Sequence, residues 1–272
     1  MDGPEKLELL ADGTVTVLGR LLDSSNATML AVVSAPEPLE PTPSGPQPPT
    51  VQAIYKPVSG ERPLADFPPG TLAGREWAAY RLDVALGWDL VQPTVLRTDL
   101  PAGTGSLQLW LEADETTSVD VFEPTGVPDG WEPVIQAESE DGAPLVVAHR
   151  VDDRLRRLAL FDIIANNADR KGSHILHAPG GRTIGIDHGL TFNADEKLRT
   201  ILWGFAGLPL SADESDALKH LDAQWDAFAG ELSAVLDDDE INAARARLAG
   251  VLSEGCFPAP PTSRYALPWP PL

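Results

Sequence analysis

Along the first hundred residues, apolar positions fall in short β-type runs broken by polar turns. Thr14–Gly19 (TVTVLG) and Thr28–Ser34 (TMLAVVS) flank the polar turn Asp23-Ser24-Ser25-Asn26, and the pattern predicts a hairpin. Pro36 to Pro49 (PEPLEPTPSGPQPP) is too rich in proline to pair or pack, and reads as an exposed insertion between strands. A third strand is predicted at Val51–Tyr55, leading into Lys56-Pro57. Ala73–Leu86 then takes helical spacing, with Trp77, Tyr80 and Val84 on one face and Gly87 as the stop. Val91–Leu96 and Ser106–Glu112 predict two more strands.

The second half changes period. Asp152–Asn166 reads as a helix with Leu155, Leu158, Ala159 and Ile163 on one face. Two short β-type runs follow, Ile175–Leu176 and Thr183–Ile186, turned by Pro179-Gly180-Gly181. Helices are predicted near Ala217–Ala229, Glu231–Leu236 and Glu240–Leu252, and the Pro-rich end is expected to be tacked down by Tyr265 and Trp269. A sheet-rich front and a helix-rich back give an α+β protein of two lobes. Residues 1–113 form the first lobe, with the Pro-rich insertion at 36–49, and 114–272 form the second.

Composition narrows the classes. The 272 residues carry a formal net charge of −21, from 41 acidic and 20 basic residues. That disfavours nucleic acid or an anionic bilayer as the main partner, because both attract Lys/Arg patches. A small anionic ligand held by a few local cations is still compatible with it. The start, MDGPEKLELL, has no apolar core of a secretory signal, and no run approaches a membrane span. The single Cys256 rules out an internal disulfide and a Cys-based zinc site, so a reducing cytoplasm is the expected compartment.

The candidate chemistry is concentrated in ANNADRKGSHIL, Ala165–Leu176, and in IGIDHGLTF, Ile184–Phe192. Asp169 sits in a polar loop after a helix. Asp187 closes an apolar strand and is followed two residues later by Gly189. Taken singly, these would be a helix cap and a turn former. Their order along the chain says more: a strand lysine (Lys56), a helix glutamate (Glu76), a loop aspartate (Asp169) and a strand-end aspartate (Asp187). This is the order of parts that phosphoryl transfer from ATP needs. A rival metal reading gathers His174, His177, Asp187 and His188 as a zinc cluster, while His149 and His220 read as surface residues.

These two segments resemble the catalytic segments of atypical kinases: phosphatidylinositol 3-/4-kinase-like proteins, HipA-type kinases and secretory-pathway atypical kinases. Those carry an Asn-x-Asp-Arg-His loop, then a strand ending in Asp-x-Gly. The resemblance is greatest to small actinobacterial phosphatidylinositol 3-/4-kinase-like proteins. It is clear over Leu158–Phe192 and weaker over Val51–Leu86. It implies a protein-kinase-like fold with an antiparallel-sheet N-lobe and a mostly helical C-lobe, using ATP and Mg²⁺ or Mn²⁺.

By this resemblance Asp169 is the catalytic-loop aspartate and Asp187 the metal-binding one, while Lys56 holds nucleotide phosphate with Glu76 as its partner. Ser24, Ser25 and Asn26 occupy the place of a phosphate-covering loop. Lys171 replaces the usual His, bringing a permanent charge towards the transferring phosphate. His174 falls where the lipid-kinase pattern has a metal-binding Asn; imidazole suits Mn²⁺ or Zn²⁺ better than Mg²⁺, and Asn166 or Asn167 could supply an oxygen instead. Lys197 and Arg199, two apart in the segment that recognises acceptors, are the expected grip on an anionic acceptor. Backbone groups near Leu109–Ala113 would take the purine. The activity expected is transfer of the γ-phosphate to a hydroxyl of a small polar metabolite, such as an inositol or sugar phosphate, without stable membrane association. The alternatives are a protein Ser/Thr kinase, an inactive nucleotide-binding pseudokinase, and transfer of AMP in place of phosphate.

Overall fold

A computed structural model describes residues 3–21, 26–35, 49–262 and 265–272. The chain is α+β and divides into two compact units. The first comprises the residues up to Tyr80 together with Gln92–Leu111, and the second Arg81–Val91 with Glu112–Leu272. Among the described residues, no helix is long and apolar enough to cross a membrane.

The first unit opens with a helix absent from the sequence reading, α1 (Gly3–Asp12), which buries Leu9 and Leu10. Strands β1 (Thr14–Arg20), β2 (Met29–Ser34) and β3 (Thr50–Pro57) follow, then helix α2 (Leu72–Leu86), β4 (Thr94–Arg97) and β5 (Gly105–Leu109). The five strands form one antiparallel sheet in the order β1-β2-β3-β5-β4. Its core joins Leu9, Leu10, Ala31, Val33, Ala53, Tyr55, Leu100 and Leu107. The strand expected at Val91–Leu96 starts only at Thr94, since Pro93 has no N–H to give a ladder.

Burial along α2 does not follow the expected stripe. Ala78, Ala79, Leu82 and Leu86 are buried, Trp77 and Tyr80 are half-buried, and Val84 is exposed. Three charged residues, Arg75, Glu76 and Asp83, share the buried side. Arg75 is fully enclosed, stacked on the Phe67 ring with its Nε donating to Thr71 Oγ1.

The second unit adds a sheet that the sequence pattern did not predict. Strands β6 (Val119–Phe122), β7 (Trp131–Glu138) and β8 (Pro144–Arg150) pair antiparallel in the order β6-β8-β7. Helix α3 (Asp153–Ala165) comes next, with the Asp152 carboxylate accepting from Leu155 N as its N-cap and Asn166 in the left-handed conformation as its C-cap. The hairpin β9 (Ile175–Ala178) and β10 (Arg182–Gly185) follows as expected. The helices at the end are α4 (Ala212–Ala223), α5 (Trp225–Leu232) and α6 (Asp238–Glu254). Capping boxes Ser211/Glu214 and Asp237/Glu240 start α4 and α6 earlier than apolar spacing alone suggests. The expected single helix through Ala229 breaks at Gln224, and the one expected at Glu231–Leu236 is only the end of α5.

Two other expectations are corrected. Tyr265 and Trp269 are 86% and 87% exposed, so neither anchors the C-terminal segment. Backbone groups hold it instead: Ala266 O accepts from Thr200 N and Trp203 Nε1, and Pro271 O accepts from Gly172 N. His149 is fully buried rather than on the surface, its ring against Phe205. Its Nδ1 donates to Arg150 O, which leaves Nε2 to accept from Gly204 N.

Candidate active site

In the first unit, strand alternation places Lys56. Ala53, Tyr55 and Pro57 on β3 are buried, so Lys56 lies on the other face. There its ammonium is ion-paired with the Glu76 carboxylate of α2. The Glu76 side chain is only 3% exposed and that of Lys56 21%, so a buried carboxylate holds a half-buried cation in place. Beside them the backbone is close-packed: a Cβ on Gly105 would meet Lys56 O at 2.5 Å. Glu61 fixes the start of α2, its Oε1 accepting from Ala73 N. Asn26 does not face open space, since its Oδ1 accepts from Arg62 N. Ser24 and Ser25 lie outside the described residues.

The second unit holds the polar loop around an ion pair that sequence reasoning missed. Asp162, in the apolar run of α3, and Arg170 are both 0% exposed and meet at 2.9 Å. Arg170 donates through Nε to both Asp162 oxygens, through Nη2 to Asp162 Oδ1 again, and through Nη1 to His174 O and Ile186 O. Thr200 Oγ1 and Asn167 Nδ2 also donate to the Asp162 carboxylate. A Cβ on Gly185 would come within 3.1 Å of the guanidinium, so the glycine leaves room for it. The one signal in the sequence was an aspartate inside LFDIIAN, where burial demands a cationic partner.

On this frame Asp169 is fixed at both ends. Its N–H donates to Asn167 Oδ1, and its carbonyl accepts from His174 Nδ1 at 2.8 Å. Its carboxylate is ion-paired with Lys171 at 3.0 Å. Asp187 follows β10 with φ at +58°, a left-handed conformation costly for a non-glycine residue. Its Oδ2 stands 3.7 Å from His174 Nε2. Burial lowers the His174 pKa, against the opposing pull of the Asp187 charge. A carbonyl can only accept, so the proton of the neutral ring sits on Nδ1 and Nε2 turns a lone pair towards Asp187.

The segment carrying Lys197 and Arg199 is stitched along this loop. Lys197 N donates to Asn166 Oδ1, Arg199 N donates to Asn167 O, and Arg199 O accepts from Arg170 N. Asn166 Nδ2 donates to Asn193 O and Asp195 O. The side-chain oxygens of both asparagines therefore already accept backbone N–H groups.

The four-residue zinc cluster does not form. His177 Nε2 is 2.6 Å from Ser118 Oγ, and His188 is buried edge-on against Phe161. Among the described residues, no group of three or more His, Cys, Asp or Glu is placed to hold a metal ion. The His174–Asp187 pair still suits an ion whose remaining positions are filled by phosphate oxygens and water, the usual arrangement for a nucleotide-bound cation.

No family model matches the chain. It is 43% identical to the Mycobacterium tuberculosis protein Rv2133c over 273 residues, covering 96% of this chain and 94% of that protein. The chain belongs to the family of that protein. Among solved structures it is similar to the Helicobacter pylori proinflammatory kinase CtkA, at 11% identity, a TM-score of 0.44, and coverage of 90% of this chain and 93% of that one.

Proposed function

We propose that this protein is an ATP-dependent phosphotransferase that moves the γ-phosphate to a hydroxyl of a small polar metabolite, such as an inositol or sugar phosphate. The observation that carries the reading is the link from Asp169 through His174 to Asp187. One imidazole ties the backbone of the loop aspartate to the carboxylate at the strand end. The Lys56–Glu76 pair supports it independently.

In this reading the roles divide by unit. Lys56, oriented by Glu76, neutralises nucleotide phosphate. Asp187 and His174 hold the divalent cation, which supplies charge neutralisation on the phosphate oxygens. Asp169 orients the acceptor hydroxyl and receives its proton as the new O–P bond forms. The bond between the γ-phosphorus and the bridging oxygen breaks, and ADP departs. Lys171 lies 3.0 Å from Asp169 and can follow the charge that develops on the moving phosphoryl group. Lys197 and Arg199 would grip an anionic acceptor.

One observation favours a second reading. The Lys171 ammonium already engages the Asp169 carboxylate, so an internal cation holds the group that the transfer reading needs against an acceptor hydroxyl. A nucleotide-binding protein without turnover would keep it.

The experiment is ADP release from ATP in the presence of pooled polar metabolites, with Asp169→Ala and Asp187→Ala beside wild type. Asp169→Ala should cut transfer by roughly 10²–10⁴-fold while nucleotide still binds. Asp187→Ala should remove metal-dependent binding. Full activity in either variant would sink the assignment, and wild-type binding without turnover would establish the second reading.

A further inference from the structure

Resting on that reading of the site, we infer that the His174–Asp187 pair makes its cation position select Mn²⁺ over Mg²⁺. Three features of the pair support this.

The first is the fixed ring. His174 Nδ1 is spent on the Asp169 carbonyl at 2.8 Å, so Nε2 is the nitrogen left to coordinate, and it is the one aimed at Asp187. A backbone carbonyl behind a ligating imidazole fixes both its tautomer and its orientation. The second is the separation. Bonds of about 2.1 Å from one ion to a nitrogen and an oxygen span 3.7 Å at about 120°, so a small turn of the half-exposed Asp187 side chain brings the pair to neighbouring positions of a six-coordinate ion. The third is the poverty of other protein ligands. Among the described residues no third His, Cys, Asp or Glu joins the pair. Zinc in a catalytic site takes three protein ligands as a rule, whereas Mn²⁺ accepts one imidazole and fills its remaining positions with carboxylate, phosphate and water. Mg²⁺ is a hard ion that prefers oxygen throughout. The asparagine oxygens that could have supplied it, on Asn166 and Asn167, already accept N–H groups of Lys197 and Asp169.

The test is calorimetric binding of a non-hydrolysable ATP analogue to the full chain, in excess Mn²⁺ and in excess Mg²⁺. Wild type should bind roughly ten-fold or more tightly with Mn²⁺, and His174→Asn should bring the two affinities together or reverse their order. Equal affinities in wild type, or a Mn²⁺ preference that survives His174→Asn, would overturn the inference and leave the phosphotransferase reading standing. Failure of the analogue to bind with either ion would remove both.

A second measurement needs no variant. With the analogue bound, Mn²⁺ should broaden the ring resonances of His174 and spare those of His220, which lies at the exposed end of α4. A sharp His174 signal would overturn the inference.

Discussion

Arg170 and Asp162 form an ion pair with no solvent exposure on either side chain, and the same guanidinium reaches the carbonyl of Ile186, next to Asp187. One side chain thus ties α3, the Asp169 loop and the strand end into a single unit. Removing one partner of a buried pair leaves an uncompensated charge, at a cost of about 3–5 kcal/mol. Arg170→Met should therefore lower the melting temperature by on the order of 10 °C, read by calorimetry. An unchanged melting temperature would mean that the loop is held in some other way.

Lys56 should carry the response of the fold to nucleotide. A ligand at ~100 times its dissociation constant stabilises by ~2.7 kcal/mol, roughly 5–10 °C for a chain of this size. Lys56→Met should lose most of that shift with ATP and divalent cation, each variant being read against its own unliganded melting temperature, which should fall in Lys56→Met relative to Lys56→Arg because the buried Glu76 loses its cation. An undiminished shift in Lys56→Met would remove this lysine from the phosphate site.

Asp83 gives stability an unusual pH dependence. Burial pushes its pKa up to about 7, although the Val91 and Leu90 N–H groups both donate to Oδ2 and act the other way. Its Oδ1 has no hydrogen-bond partner among the described residues, so that oxygen suits the proton. The folded pKa exceeds the unfolded one, so between about pH 4 and 7 the native state binds the extra proton. Stability from this group is full below the unfolded pKa and is lost as pH rises towards 7. The slope is at most about 1.4 kcal/mol per pH unit. Denaturant melts of wild type and Asp83→Asn at pH 5 and pH 7 should show wild type losing stability and the variant losing less. Parallel curves would mean that Asp83 is ionised throughout.

The parts of the site that the sequence disclosed are those set by short-range rules. A β-type run at Val51–Tyr55 led straight into Lys56, and a glycine turn brought the hairpin strands back together between Asp169 and Asp187. What stayed hidden depended on side-chain partners that only the folded loops bring together. Asp162 looked like a blemish in an apolar helix until Arg170, eight positions on, gave it a counter-charge. Arg75 and Asp83 broke the apolar pattern of α2 in the same way, and the expected face fell on the wrong side. The β6-β8-β7 sheet was illegible because Pro124, Pro128 and Pro133, with Gly126 and Gly130, punctuate the segment, and β8 buries four consecutive residues, Val146–His149, instead of alternating. Helix α1 was missed because it depends on packing Leu9 and Leu10 against the sheet rather than on a strong apolar period.

The alternation of β3 has one more result. If this strand paired one residue out of step, every side chain would change faces, driving the Lys56 ammonium into the oily interior and turning the Tyr55 ring out to water. The mispaired chain would lose its core and the Lys56–Glu76 ion pair together. Correct assembly and the placing of the cation that the proposed function assigns to phosphate are thus decided by the same event, and a half-folded imitation of the protein has no way to arise by slippage of this strand.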